Sequence, residues 1–313
     1  MKHLNEIFGI KYPIIQGGMA NIGTGEFAAA VSKEGGLGLI ASGGMTTEQV
    51  REHIHHVRSV TDKPFGVNIM LMLPNVDELA KLMIEEKVPI VTTGAGNPAK
   101  YMEKWKEAGI TVIPVVPSVA LARRMEKYGA DAVIAEGTES GGHVGEMTTM
   151  ALIPQVCSAV TIPVIAAGGI ACGAQLLAAF ALGACGVQIG TAFLAAEECP
   201  IHDNYKQAIL NAKDTDTLVT GRIGGVPVRV IKNSMSREYV KLEKEGKSRE
   251  ELEHFTLGGL RRAVFDGDTQ NGSLMAGQVA GQVNEIRSVA VILDEIYSGY
   301  LAARKALCEG DAI

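Results

Sequence analysis

Short runs of β-branched and apolar residues alternate with amphipathic stretches along the first two-thirds of the chain. That alternation predicts parallel strands joined by crossover helices. Eight runs are legible: Pro13 to Met19, Gly36 to Ser42, Phe65 to Leu71, Ile90 to Gly94, Thr111 to Val116, Ala132 to Glu136, Pro163 to Gly168 and Gly186 to Thr191. Helical periodicity follows them, as in Glu26 to Glu34, Thr47 to Val60, Val76 to Glu86, Pro98 to Ala108 and Ser118 to Tyr128. Eight evenly spaced βα units in about 200 residues predict an α/β fold of the TIM (β/α)8 barrel type. An open doubly wound sheet is the alternative, since periodicity does not tell closed from open. Two G-x-G-x-x-A matches occur, at Gly23, Gly25 and Ala28 and at Gly94, Gly96 and Ala99. The strand after each lacks the terminal acid that would hold a ribose, so neither reads as a dinucleotide fingerprint.

Beyond residue 197 the pattern changes. Residues 200–262 hold 12 Lys+Arg and 9 Asp+Glu, a local net of +3, leaving −9 on the other 250 residues. The stretch REYVKLEKEGKSREELEHF, with Gly246 at its middle, predicts two exposed charged helices. A final helix over Asn284 to Leu307 places Ile286, Val289, Leu293, Ile296 and Tyr300 on one apolar stripe that would dock on the barrel. The expected organisation is a barrel formed by 1–199 and 263–313, with 200–262 as a mainly helical cap inserted after the eighth strand.

Composition narrows the classes. The 313 residues are 47% apolar with a net charge of −6, which excludes a disordered or fibrous chain. The acidic balance argues against a nucleic-acid partner. The five cysteines show neither CxxC nor zinc spacing, which suits a reducing cytoplasm, and the start MKHLNEIFGIKYPI lacks the apolar stretch of an export signal. Residues 147–196 contain no charged side chain, yet Pro154, Pro163 and glycines divide them into pieces too short for a membrane span.

Barrel enzymes place their chemistry at the C-terminal ends of the strands. Those positions here are mostly glycines, small residues and amides. The loops after the seventh and eighth runs, AAGGIA (166–171) and QIGTAF (188–193), would let the backbone of Gly168, Gly169 and Gly190 approach an anion, with Thr191 adding a hydroxyl. The alternative is that these glycines merely permit tight turns. His143 is the one of seven histidines that lies in a glycine-rich loop at a strand end, EGTESGGHVGE (136–146), where an imidazole suits a general acid or a polariser of a carbonyl. The other six read as solvated. No metal cluster is expected, because Glu136, Glu139, His143 and Glu146 are separated by glycines. Ser140 lacks the nucleophile elbow of a hydrolase.

PIIQGGMA (13–20), GLGLIASGG (36–44), FGVNIML (65–71), EGTESGGHVGE (136–146), PVIAAGGIA (163–171), GVQIGTAFLAAEE (186–198) and GSLMAGQVAG (272–281) together resemble the nitronate monooxygenase-like flavoproteins. Within them the likeness is strongest to the FMN-dependent enoyl-acyl-carrier-protein reductases of bacterial fatty-acid synthesis, and it runs in order along nearly the whole chain. The resemblance implies a TIM barrel with FMN across its C-terminal mouth. Gly17, Gly18 and Met19 would lie along the flavin ring and Asn68 would hydrogen-bond near it. Glu136, Ser140, Gly141 and Gly142 would flank the ribityl chain. Gly168, Gly169, Gly190 and Thr191 would hold the phosphate, and Met275, Gly277 and Gln278 would close over the flavin. His143 matches the family's active-site histidine.

The implied reaction is NADH-dependent reduction of a trans-2-enoyl thioester, with hydride reaching the β-carbon and a proton the α-carbon. An acidic acyl carrier protein would need a basic rim, for which Arg222, Arg229, Lys232, Arg237, Arg261 and Arg262 are the candidates. A solvated charged face is the alternative for the same residues. The resemblance also implies a homodimer and, in some members, a monovalent cation. The alternative functions are a nitronate monooxygenase, in which His143 would be the base, and a non-catalytic flavin- or carrier-binding module.

Overall fold

The computed structural model describes residues 2–310. Eight strands form the barrel: β1 (Ile14–Gln16), β2 (Gly38–Ala41), β3 (Phe65–Met70), β4 (Ile90–Gly94), β5 (Thr111–Val116), β6 (Val133–Glu136), β8 (Val164–Ala167) and β9 (Gly186–Ile189). A two-residue strand, β7 (Gly142–His143), lies in the loop after β6. All barrel pairings are parallel, in the order β1-β9-β8-β6-β5-β4-β3-β2. The sheet then closes on itself just ahead of β2, where Leu37 N donates to Ile14 O (2.9 Å) and Gln16 N donates to Leu37 O (2.9 Å). Closure decides between the two topologies that the periodicity allowed, and the expected barrel is the one that forms.

Alternation along the strands sorts side chains to two cores. Ile15, Leu37, Leu39, Ile90, Ile113, Ile134 and Ile165 fill the barrel interior, and Leu4 from the short helix Leu4–Phe8 plugs its lower end. Leu4 N donates to Cys185 O (2.7 Å), tying the plug to the start of β9. The larger core lies between the sheet and its helices and includes Trp105, whose indole donates to Ala80 O (3.0 Å). Helix starts follow local capping chemistry: Thr24, Thr46 and Ser118 accept backbone N–H groups of the helices at Gly25–Lys33, Thr47–Val60 and Val119–Lys127. His53 is half-buried and accepts the Gly25 N–H at 3.0 Å, so it has a structural partner that the reading of it as solvated lacked.

The final helix spans Val289–Glu309, starting five residues later than the stripe suggested, because Ser288 caps it and the Glu198 carboxylate accepts the Val289 N–H (2.9 Å). Ile286 therefore precedes the helix, while Val289, Leu293, Ile296 and Tyr300 are buried. In the segment after the barrel, the charged stretch folds as helices Ser234–Lys244 and Arg249–Thr256, divided at Gly246, and a further helix covers Asp203–Leu210. The segment also contains an antiparallel hairpin, β10 (Thr217–Thr220) with β11 (Val228–Ile231), and β11 pairs in turn with β7. This three-stranded sheet joins the inserted segment to the loop after β6. No helix among the described residues is long and apolar enough to cross a membrane.

Candidate active site

A cavity of about 430 Å³ opens at the C-terminal ends of the barrel strands. Gly17, Gly18 and Met19, which follow β1, line one side. Gly18 lies so close to Asn68 on β3 that a Cβ there would sit 2.4 Å from the amide carbon, so the amide occupies the space a side chain would need. Thr92, fully buried on β4, donates its hydroxyl to Asn68 Oδ1 (2.9 Å). That bond occupies the amide oxygen and leaves the Asn68 NH2 group as the donor for a ligand.

On the β8 and β9 side, Gly168 and Gly169 take φ of +92° and +72°, values that glycine adopts cheaply. Gly168 O accepts from Thr149 Oγ1 (2.9 Å), and a Cβ at Gly168 would meet Gly137 O at 2.8 Å. Gly190 differs. It has negative φ, and its added Cβ would meet nothing nearer than Met19 Sδ at 3.6 Å, so the space beside it belongs to the cavity. Thr191 Oγ1 accepts the Gly277 N–H (2.9 Å), which leaves its own proton for a ligand.

The loop after β6 forms the third wall. Glu136, Ser140, Gly141, Gly142 and His143 all line the cavity. Burial holds the Glu136 carboxyl up to about 7, with the nearby Ser140 hydroxyl opposing the shift. Ser140 Oγ is buried, yet it makes no hydrogen bond of acceptable geometry to the protein. The His143 imidazole projects into the cavity, so much of its surface is open to solvent while its base is enclosed. The enclosure lowers its pKa, and the ring is neutral near pH 7. Neither ring nitrogen bonds another described residue, so one N–H donor and one acceptor are available to a ligand.

Gly141 packs backbone to backbone against the late segment, where an added Cβ would lie 2.7 Å from Ala276. Met275 lines the cavity, and its carbonyl accepts from the buried Tyr205 hydroxyl (2.8 Å). Gly277 and Gln278 do not line it. Their N–H groups turn away, to Thr191 Oγ1 and to Glu139 O (2.9 Å each), so these two residues fasten the wall from behind. Among the lining residues to which the sequence assigned no binding role are Glu139, Gln188 and Leu260. Glu139 accepts the Thr149 backbone N–H with both carboxylate oxygens (2.9 Å each), locking the β6 loop to the next helix. Gln188 lines the cavity from β9, an inward position that strand alternation marks. Leu260 comes from the inserted segment, and nothing in its local sequence signals that it reaches the cavity.

An α/β barrel with a glycine-lined cavity at its C-terminal mouth is the architecture of a ligand-binding barrel enzyme. A family model described as nitronate monooxygenase matches residues 1–299. The chain belongs to that family of flavin-dependent oxidoreductases. The solved structure of FabK from Thermotoga maritima is 49% identical, superposes with a TM-score of 0.96, and is covered over 99% of each chain. A (3aS,4S,5R,7aS)-5-hydroxy-7a-methyl-1-oxo-octahydro-1H-indene-4-carboxyl-CoA dehydrogenase of Mycobacterium tuberculosis is 33% identical over 94% of each chain. A probable nitronate monooxygenase of Staphylococcus saprophyticus is 34% identical over 91% of this chain and 94% of its own.

Proposed function

We propose that this protein is an FMN-dependent reductase of trans-2-enoyl thioesters, with NADH as reductant and the substrate carried on an acyl carrier protein. The observation that carries the reading is a cavity lined by bare backbone on both sides, faced by one neutral imidazole with both nitrogens free. Gly190 leaves open space for an anion, the Asn68 amide packed against Gly18 offers a donor to a flat ring, and the orphaned Ser140 hydroxyl beside Glu136 offers polar groups to a hydroxylated chain. The residues present thus fit FMN. Gly168, Gly169, Gly190 and Thr191 would hold its phosphate, Asn68 would donate to its ring, and Glu136 and Ser140 would meet its ribityl hydroxyls.

Bound FMN would supply two-electron carriage between NADH and the enoyl group. The chain's own share is to bind, orient and stabilise. His143, neutral near pH 7, donates an N–H to the thioester carbonyl, where negative charge develops as the β-carbon is reduced. Wall residues Met70, Val115, Ile170, Leu194 and Leu260 offer an apolar path for an acyl chain.

The thioester class is supported by the CoA-thioester name of one relative, and the enoyl reductase reading by the likeness to FabK. The nitronate reading draws on the family description and on the same neutral imidazole, which also serves as a base. The basic rim is smaller than the sequence suggested. Arg229 is buried, Arg222 pairs with Glu146, Lys232 is engaged by Thr215 O, and Arg262 by Leu257 O and Asn271 O. Arg237 and Arg261 remain as exposed cations for an acidic carrier.

The test is anaerobic NADH oxidation by the flavin-loaded protein with enoyl-carrier, enoyl-CoA and nitroalkane substrates. Turnover with an enoyl thioester in the absence of oxygen is expected. NADH consumption only with oxygen, or a nitroalkane as the best substrate, would overturn the proposal.

A further inference from the structure

Arg229 lies at the centre of the sheet that joins the inserted segment to the β6 loop. It is 6% exposed, and among the described residues no carboxylate lies within ion-pair distance of it, the Glu139 charge acting only from farther away. Its Nε and Nη2 both donate to Thr138 O (3.1 and 3.0 Å), and its Nη1 donates to Thr217 Oγ1 (3.1 Å). Burying a cation among neutral acceptors is costly, and a fold needing only packing here would place an apolar side chain.

The register shows what the guanidinium accomplishes. Arg229 sits opposite Gly142 in the antiparallel pairing of β11 with β7, and Val228 sits opposite His143. One residue therefore holds the loop twice, with its backbone at Gly142 and its side chain at Thr138 O. The segment between, 138–142, carries Ser140 into the cavity and leads directly into His143. Val144 N continues the seam by donating to Pro227 O (3.1 Å).

We infer that Arg229 is a positioning residue for His143, clasping both ends of segment 138–142 so that the imidazole is presented across the cavity at a set height. A planar fork that sends two N–H groups to one carbonyl is available from arginine alone, so lysine should not replace it fully. The inference rests on the reading of His143 as the group that faces the substrate. It also makes the inserted hairpin a support behind the active-site wall and not a detachable lid.

The test compares flavin-loaded wild type with Arg229→Met and Arg229→Lys. Two readouts report on His143 itself. The first is its rate of modification by diethyl pyrocarbonate, followed on the His143 peptide by mass spectrometry. The second is its apparent pKa from the pH dependence of that rate. In Arg229→Met the modification rate should rise severalfold and the pKa should return towards the ordinary value of about 6.5. Turnover should fall at least about tenfold while FMN binding changes little, because misplacing a reacting group is expensive in rate. Arg229→Lys should lie between. Added guanidinium, against a sodium control, should restore part of the wild-type protection to Arg229→Met.

If His143 modification in Arg229→Met matches wild type while only thermal stability falls, Arg229 is structural and the inference fails. Should Arg229→Met not fold, the same comparison on Arg229→Lys decides. Failure of the functional reading is separate: His143→Ala would then retain turnover, whatever the modification rates show.

Discussion

Gly190 offers the cleanest test of where an anion binds. Its φ and ψ are −110° and −64°, and an added Cβ would make only an ordinary contact, 3.6 Å from Met19 Sδ. Gly190→Ala should therefore leave stability within about 1 kcal/mol of wild type. The methyl would nonetheless stand in the cavity beside the backbone N–H proposed to meet the phosphate. Losing one hydrogen bond to a charged group costs about 1.5–3 kcal/mol, which is about 10- to 150-fold in affinity. Gly190→Val, with two more carbons in the same space, should do worse. The assay is fluorescence titration of the apo-protein with FMN and, in parallel, with riboflavin, alongside thermal melting. Both variants should melt as wild type does, bind FMN more weakly, and show little change towards riboflavin, which lacks the phosphate. Unchanged FMN affinity in Gly190→Val would refute the phosphate placement. An equal loss for riboflavin would mean that Gly190 abuts the ring instead.

Gly168→Ala should behave in the opposite way, losing about 1–3 kcal/mol of stability before any ligand is added, because a side chain at φ +92° is strained and its Cβ would press on Gly137 O; melting of the apo-protein checks this. His143→Ala should retain FMN yet lose about 10²- to 10⁴-fold in enoyl-dependent turnover, and loss of FMN instead would make the loop structural. Thr92→Val should free the Asn68 amide to rotate, weakening flavin binding and shifting the visible flavin spectrum, while Thr92→Ser should restore both. Glu136 is protonated in the fold up to about pH 7 but ionises near 4.5 when unfolded. The folded state then holds the extra proton, so apo-protein stability should decline as pH rises from 4.5 to 7, by up to about 3 kcal/mol. Glu136→Gln should abolish that decline in chemical denaturation, and a pH profile superimposing on wild type would contradict the assignment.

Much of this protein follows from its sequence alone. The eight strands, the intervening helices and the glycine-rich strand ends are local matters of period, β-branching and turn chemistry, and these act between residues close in the chain. His143 stood out for the same reason, as an imidazole in a glycine-rich stretch after a strand. Tertiary structure decided what depends on contacts between distant residues. Barrel closure rests on Leu37 meeting Ile14 and Gln16. The backward turn of Gly277 and Gln278 rests on Thr191 and Glu139. The burial of Arg229, which composition counted as a surface charge, rests on Thr138 O, 91 residues away along the chain. The hairpin strands TLVT and VRVI were legible in principle, yet their pairing with Gly142 and His143 has no local signal, because register between remote strands is set by packing. It is that pairing which places the imidazole over the cavity.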